Sequence, residues 1–391
     1  MIQKRITGRL PAGSVPTAVW FSEIGIHKVE IIPEKELNDP DVYIAPGFID
    51  NQVNGYNGVD FSDPDLTVDQ VRQIVSDMWR SGVTTFLPTL ITNPEETLTS
   101  SLRVLAEAMA TDDIGPSIPG IHLEGPYISR ESGYRGAHNP EWIRSPDLNE
   151  FQRLQAAAGG CIIQITLAPE LKGAMEFIEW CRENHITIAL GHHAALAETI
   201  HTAAAKGARI STHLGNACAN LIDRHNNILW PQLAEDRLMA SVIADGHHLS
   251  PDELCVIFRV KGPDRLIIVS DLVSFGGLVP GEYSWNGRTL TVDRNGTVGL
   301  RNENILAGAT QLLMTGITNM IHHTGCSLEE AINMATRNPA GLNHLHDRGR
   351  LEPGTRADLI RFRREGDGFA VTETWCGGRC VHRIQPADNP G

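Results

Sequence analysis

The stretch Ala45–Phe61, "APGFIDNQVNGYNGVDF", decides how the rest of the chain is read. It opens as an apolar run that reads as a buried strand and continues into a loop carrying Gly55 and Gly58. Side chains two apart on a strand face the same way. Gln52 and Asn54 therefore stand side by side where the strand ends, in the spacing with which two imidazoles would grip one cation. Carboxamide oxygens suit hard ions better than zinc or iron. The stretch thus poses a question: does this chain hold a metal through other residues, or not at all?

Working outward, short apolar runs alternate with helical patterns from about residue 43 to 338. The expected strands are 43–49, 84–88, 117–123, 161–168, 187–191, 209–212, 238–244 and 265–270. Between them, "TVDQVRQIVSDMWRSG" places Val71, Ile74, Val75, Met78 and Trp79 on one face. Thr67 with Gln70 forms a capping box, and Gly82 provides the stop. Ser327 with Glu330 repeats the device in "SLEEAINMATRNPA". Eight strand–helix units in one region predict an α/β fold, a closed (β/α)8 TIM-like barrel over 43–349. Residues 1–42 and 350–391 read as short strands between Gly/Pro turns and are expected to form one small β-sandwich domain together.

The totals narrow the function. A chain of 391 residues with 33 basic and 47 acidic side chains carries a formal charge of −14, which argues against nucleic acid or an anionic membrane as partner. No apolar run approaches the roughly 18 residues of a membrane span, and "MIQKRITGRLPAGS" lacks a signal-peptide core. Seven scattered cysteines suit reduced thiols and a cytoplasmic location. The expected partner is a small molecule.

Barrel chemistry sits at the C-terminal ends of the strands. Those ends offer His122 and Glu124, then His192 and His193, His213 and Asn216, Asp245, His247 and His248, and Asp271. A lone strand-end histidine is most often a loop or core residue. Recurrence on five strands points instead to a metal centre: one Glu and two His with an open position is a recognised set for catalytic zinc, and Asp271 would serve as general acid and base.

In order along the chain, "APGFID…NG…GVDF", "HLEGPY…GAHNP", "TLAPE", "GHHA", "THLGNA", "ADGHH", "VSD", "LAGAT" and "MATRNPA…GLN…GRLEPGTRADL" resemble the N-acetylglucosamine-6-phosphate deacetylases of the amidohydrolase superfamily. The resemblance spans about residues 43 to 362. It implies metal-dependent hydrolysis of the acetamide of N-acetylglucosamine 6-phosphate, or a close N-acetylamino sugar, to acetate and the amino sugar. It also implies metal ligation by Glu124, His192 and His213 and catalysis by Asp271 and His138. Substrate contacts are implied at Ala137, His138, Asn216, Ala217, Arg224, His248 and the loop Leu306, Ala307, Gly308 and Ala309. Its register selects His192 over His193 and His248 over His247.

The family contains members with Gln-x-Asn at strand one, so Gln52 and Asn54 remove a second metal and leave one divalent ion per chain. Zinc is the first choice, with iron, cobalt or manganese as alternatives. A homodimer or homotetramer is expected. Departures fall around "NAC" (Asn216–Cys218), Asp223 beside Arg224, and "VSDLVSFGG". They keep open an unphosphorylated acetamido sugar or an N-acyl amino acid as substrate. A barrel without catalysis would have lost some of these ligands or the aspartate, and this chain keeps all four.

Overall fold

The computed structural model describes residues 2–301, 303 and 305–384, so the 385–391 end of the expected small domain lies outside the described residues. Eight parallel strands stand side by side in chain order: β1 (Phe48–Val53), β2 (Val83–Ile91), β3 (Ile121–Glu124), β4 (Ile162–Leu167), β5 (Thr187–Leu190), β6 (Ala208–Ser211), β7 (Met239–Ile243) and β8 (Leu266–Val269). The ring closes just past β8. The Asp271 N–H donates to the Gln52 carbonyl (3.1 Å), and the Asn54 N–H donates to the Leu272 carbonyl (2.7 Å). The strands lie between the barrel interior and an outer layer of helices, so both their faces are buried.

The helix Val68–Arg80 shows why the sequence pattern was readable. Thr67 Oγ1 accepts from the Gln70 N–H, while Gln70 Oε1 accepts from the Thr67 N–H (2.8 Å). Val71, Ile74, Val75 and Met78 are fully buried against the barrel, each contributing roughly 1.5–3 kcal/mol by burial. Ser327 and Glu330 cap Leu328–Met334 in the same way.

The two chain ends meet in one seven-stranded sheet. Its order is Arg379–Arg383, Gly368–Cys376, Leu359–Glu365, Val42–Pro46, Lys4–Arg9, Pro16–Ser22, Gly25–Ile31. Phe21 and Trp375 lie four strands apart, a separation of about 19 Å in a flat sheet. Their ring centroids are 5.1 Å apart, edge to face. The sheet therefore curls until its halves face each other around Ile6, Val19, Ile26, Ile44 and Leu359, giving a sandwich from one continuous sheet.

Two strand assignments differ from the sequence reading. The expected strand 43–49 is divided at Gly47: Val42–Pro46 pairs with Leu359–Arg363 in the curled sheet, and β1 starts at Phe48. The chain passes so close to β2 there that a Cβ on residue 47 would lie 2.2 Å from Thr84 Oγ1. The second difference is a three-stranded antiparallel sheet after β8, formed by Gly281–Trp285, Arg288–Val292 and Val298–Leu300. It has its own small core of Phe275, Leu290, Val292, Val298 and Leu300. Three bonds tie it to loops at the barrel mouth. Trp285 Nε1 donates to Asp60 (3.3 Å), Arg288 Nη1 donates to the Ala137 carbonyl (2.8 Å), and His247 Nε2 meets the Asn295 carbonyl (3.1 Å). Among the described residues no helix is long and apolar enough to cross a membrane.

Candidate active site

Glu124 is the last residue of β3, and His192 and His213 each follow the end of a strand, β5 and β6. His213 Nε2 lies 3.0 Å from Glu124 Oε1 and 3.1 Å from His192 Nε2, and His192 Nε2 lies 3.3 Å from Glu124 Oε1. Three donors on a tetrahedral ion with bonds of about 2.0 Å would be about 3.3 Å apart, so the trio has the dimensions of one face of such a site. The tautomer of His192 also fits. Its Nδ1–H donates to the Tyr134 carbonyl (3.1 Å), which leaves the Nε2 lone pair facing the carboxylate. Burial acts to raise the Glu124 carboxyl, but the close approach of the His192 and His213 imidazoles outweighs it and holds it well below the usual range. Burial acts to lower His213, and Glu124 outweighs it, so that imidazole is raised. These residues fit a single divalent cation.

Asp271 stands just after β8, beside the trio. Its Oδ1 accepts from Gln52 Nε2 (2.9 Å) and Asn54 Nδ2 (2.7 Å), and Gln52 Nε2 also donates to Glu124 Oε1 (3.1 Å). Gln52 thus bridges two carboxylates that would otherwise repel, and Asn54 adds a second donor to Asp271. Burial first, and then the Glu124 charge, push Asp271 up to about 6 despite the bond from Asn54. His192 (φ 51°), His213 (φ 32°), Ala217 (φ 49°) and Asp271 (φ 51°) all have left-handed backbones. Such conformations are costly for residues other than glycine and cluster at functional sites.

A cavity of about 370 Å3 opens above these groups, lined by Glu124, His192, His213 and Asp271 together with Asn54, Ala137, His138, Asn216, Ala217, His248 and Leu306–Gly308. His138 is buried with its ring centroid 4.3 Å from that of His192, and its Nδ1 is 2.8 Å from Thr92 Oγ1. Burial first, and repulsion by His192 second, lower His138 to about 3, so the ring is neutral. His248 Nδ1 donates to Asp245 Oδ2 (2.8 Å). Of each doublet, one member reaches the cavity: His193 is buried behind it and His247 turns to the three-stranded sheet.

Two expected contacts lie elsewhere. Ala309 is buried in the barrel wall, its N–H bonded to the Asp271 carbonyl (2.9 Å). Arg224 is exposed on the 216–228 segment and does not line the cavity. Conversely, Asp60, Trp285 and Leu290 line the cavity and were not singled out from the sequence, and Cys218 and Phe275, which fall in the two departures from the family pattern, line it as well. The asparagine–glycine pair at 286–287 was the signal available for Trp285, because it marks the hairpin that carries this residue.

A closed barrel with a Glu–His–His trio and a separate buried carboxylate at its strand ends defines a metal-dependent hydrolase. The amidohydrolase family profile matches residues 43–381. An N-acetylglucosamine-6-phosphate deacetylase from Bos taurus is 35% identical, with 88% of this chain and 84% of that protein covered. An N-acetylgalactosamine-6-phosphate deacetylase from Escherichia coli O157:H7 is 29% identical, covering 90% and 92%. The crystal structure of a variant N-acetyl-D-glucosamine-6-phosphate deacetylase from Mycobacterium smegmatis, in complex with N-acetyl-D-glucosamine-6-phosphate, superposes with a TM-score of 0.88 at 26% identity, covering 97% and 100%. The chain belongs to the amidohydrolase family, in its N-acetylglucosamine-6-phosphate deacetylase branch.

Proposed function

We propose that this protein hydrolyses the acetamide of N-acetylglucosamine 6-phosphate, or of a close N-acetylamino sugar phosphate, to acetate and the free amino sugar. The observation that carries the reading is the Glu124–His192–His213 trio facing a separate, buried Asp271 across one cavity. A divalent ion held by the trio, zinc first and one per chain, would supply Lewis acidity toward the carbonyl and acidify the attacking water.

The side chains account for the rest. With Oδ1 occupied by Gln52 and Asn54, Asp271 keeps Oδ2 to take the proton of the attacking water. Amines leave poorly without a proton, so Asp271 then delivers it to the departing nitrogen. A hydroxyl proton from Thr92 on His138 Nδ1 fixes the neutral ring as an Nε2–H donor, aimed at the oxygen that gains charge. His248, fixed by Asp245, leaves its second nitrogen for a sugar oxygen. The seven free cysteines accord with a reducing cytoplasm.

A second reading, the unphosphorylated sugar, is favoured by one observation: no Lys or Arg lines the cavity among the described residues. Acetate release from a panel of N-acetyl sugars, each with and without 6-phosphate, separates the two. Release from the 6-phosphates alone is expected. Release only from the free sugars would move the assignment to the second reading, and no release from any metal-loaded sample would overturn both.

A further inference from the structure

We propose that Asp60 and Trp285 form a hydroxyl-recognition subsite that decides which sugar epimer the cavity accepts, an inference that rests on the deacetylase reading above. Asp60 follows β1, and Trp285 comes from the three-stranded sheet and bonds to Asp60 at the mouth. Both line the same cavity as the trio. The Asp60 carboxylate is anchored at each oxygen. Oδ1 accepts from the Ser62 N–H (2.8 Å), and Oδ2 accepts from Trp285 Nε1–H (3.3 Å). A carboxylate offers about four acceptor positions, so two remain for a ligand.

The chemistry of that ligand follows from its surroundings. Trp285 adds an indole beside Phe275 and Leu290, an apolar surface for the C–H face of a sugar ring. A phosphate beside Asp60 would meet a like charge with no cationic side chain in the lining to offset it. Before the amide is cleaved, the sugar carries no cation. With the acetamide placed at the trio and Asp271, a ring hydroxyl is the neutral group left to donate here. Asp60 takes no part in the chemistry assigned to Asp271, yet it holds a fixed position in the same cavity. The relatives show why such a group matters: one is named an N-acetylglucosamine-6-phosphate deacetylase and another an N-acetylgalactosamine-6-phosphate deacetylase. Those sugars differ only in the direction of one hydroxyl, so a barrel of this branch needs a side chain that reads it.

The test uses the metal-loaded enzyme with N-acetylglucosamine 6-phosphate, its galacto epimer, and the 3-deoxy and 4-deoxy analogues, reading kcat/KM by acetate release. Removing the 4-hydroxyl, the one whose direction separates the two epimers, should lower kcat/KM roughly 10- to 100-fold, the scale of a hydrogen bond to a charged group. Asp60→Asn should lose about as much on the parent sugar and lose nothing further on that one analogue. Trp285→Phe, which keeps the ring and drops the N–H, should show the same pattern more weakly. A 4-deoxy analogue that stays within about threefold of the parent, or an Asp60→Asn loss equal on every sugar, would overturn the subsite. The wild-type comparison holds whether or not the variants fold. If no sugar yields acetate, the deacetylase reading has failed separately. Calorimetric titration with the same sugars then decides the subsite: weaker binding of the 4-deoxy analogue supports it, and affinity for that analogue equal to the parent's overturns it.

Discussion

Asp271→Asn should make the protein less active and, at alkaline pH, more stable. Asparagine matches the carboxylate in shape and can still accept from Gln52 and Asn54. It cannot take a proton from water, so turnover should fall roughly 10²–10⁴-fold with metal content unchanged. The stability effect follows from the raised carboxyl, pushed from 3.8 to about 6 by burial and the Glu124 charge. A carboxyl raised in the fold stabilises it fully below the unfolded value, and that contribution is lost as pH rises through about 6. At pH 8 the buried charge therefore costs ~3 kcal/mol, an upper figure, and the asparagine variant is spared it. In chelator-treated protein, thermal unfolding at pH 8 should shift upward by a few degrees in the variant. The gap should narrow as pH falls towards 4. A variant no more stable than wild type at pH 8, or a gap independent of pH, would refute the electrostatic account. Retention of most activity would refute the acid–base role.

Gln52→Leu removes donors to both Glu124 and Asp271, each bond worth roughly 1.5–3 kcal/mol. Turnover should drop at least about tenfold, and the acidic limb of the pH–rate profile should move upward, because Asp271 loses a partner of its charged form. An unmoved limb would mean that Asn54 alone sets the carboxylate. Metal analysis should find close to one transition metal per chain, removed by chelator together with activity, and two tightly held ions would show that the ligand set is incomplete. Arg224 has no side-chain partner among the described residues and sits seven residues beyond the cavity-lining Ala217. Because Arg224 stands outside the cavity lining, Arg224→Ala should leave KM for a phosphorylated sugar within about threefold of wild type, and a roughly 10- to 100-fold rise confined to the phosphorylated sugar would place the phosphate at Arg224 after all.

The barrel was legible because strands buried on both faces leave continuous apolar runs, and capped helices such as Val68–Arg80 announce their ends. The division at Gly47 was not, because two apolar strands of different sheets follow one another with no polar break. The trio and Asp271 stood out in the sequence because each lies at or just past a strand end, where side chains converge. The three-stranded sheet was passed over although "SWNGRT" carries a hairpin signal: Asn286 (φ 49°) and Gly287 (φ 72°) form the tight turn that pairs Trp285 with Arg288. Its strands are half-exposed and polar, so no apolar run flags them. Asp60 meets Trp285, and Thr92 meets His138, across long stretches of chain, and no local pattern marks such partners.

The curled sheet also sets an order of assembly. The strands Lys4–Arg9 to Gly25–Ile31 leave the ribosome first, yet half of the core that covers them, Leu359 and Trp375, is made last. At roughly 5–20 residues per second, the early hairpin waits on the order of tens of seconds with Phe21 uncovered. The whole barrel is synthesised in that interval, and only its completion brings Leu359–Glu365 against Val42–Pro46. Chains shortened before Leu359 should therefore expose the early hairpin and aggregate, whatever the state of their catalytic residues.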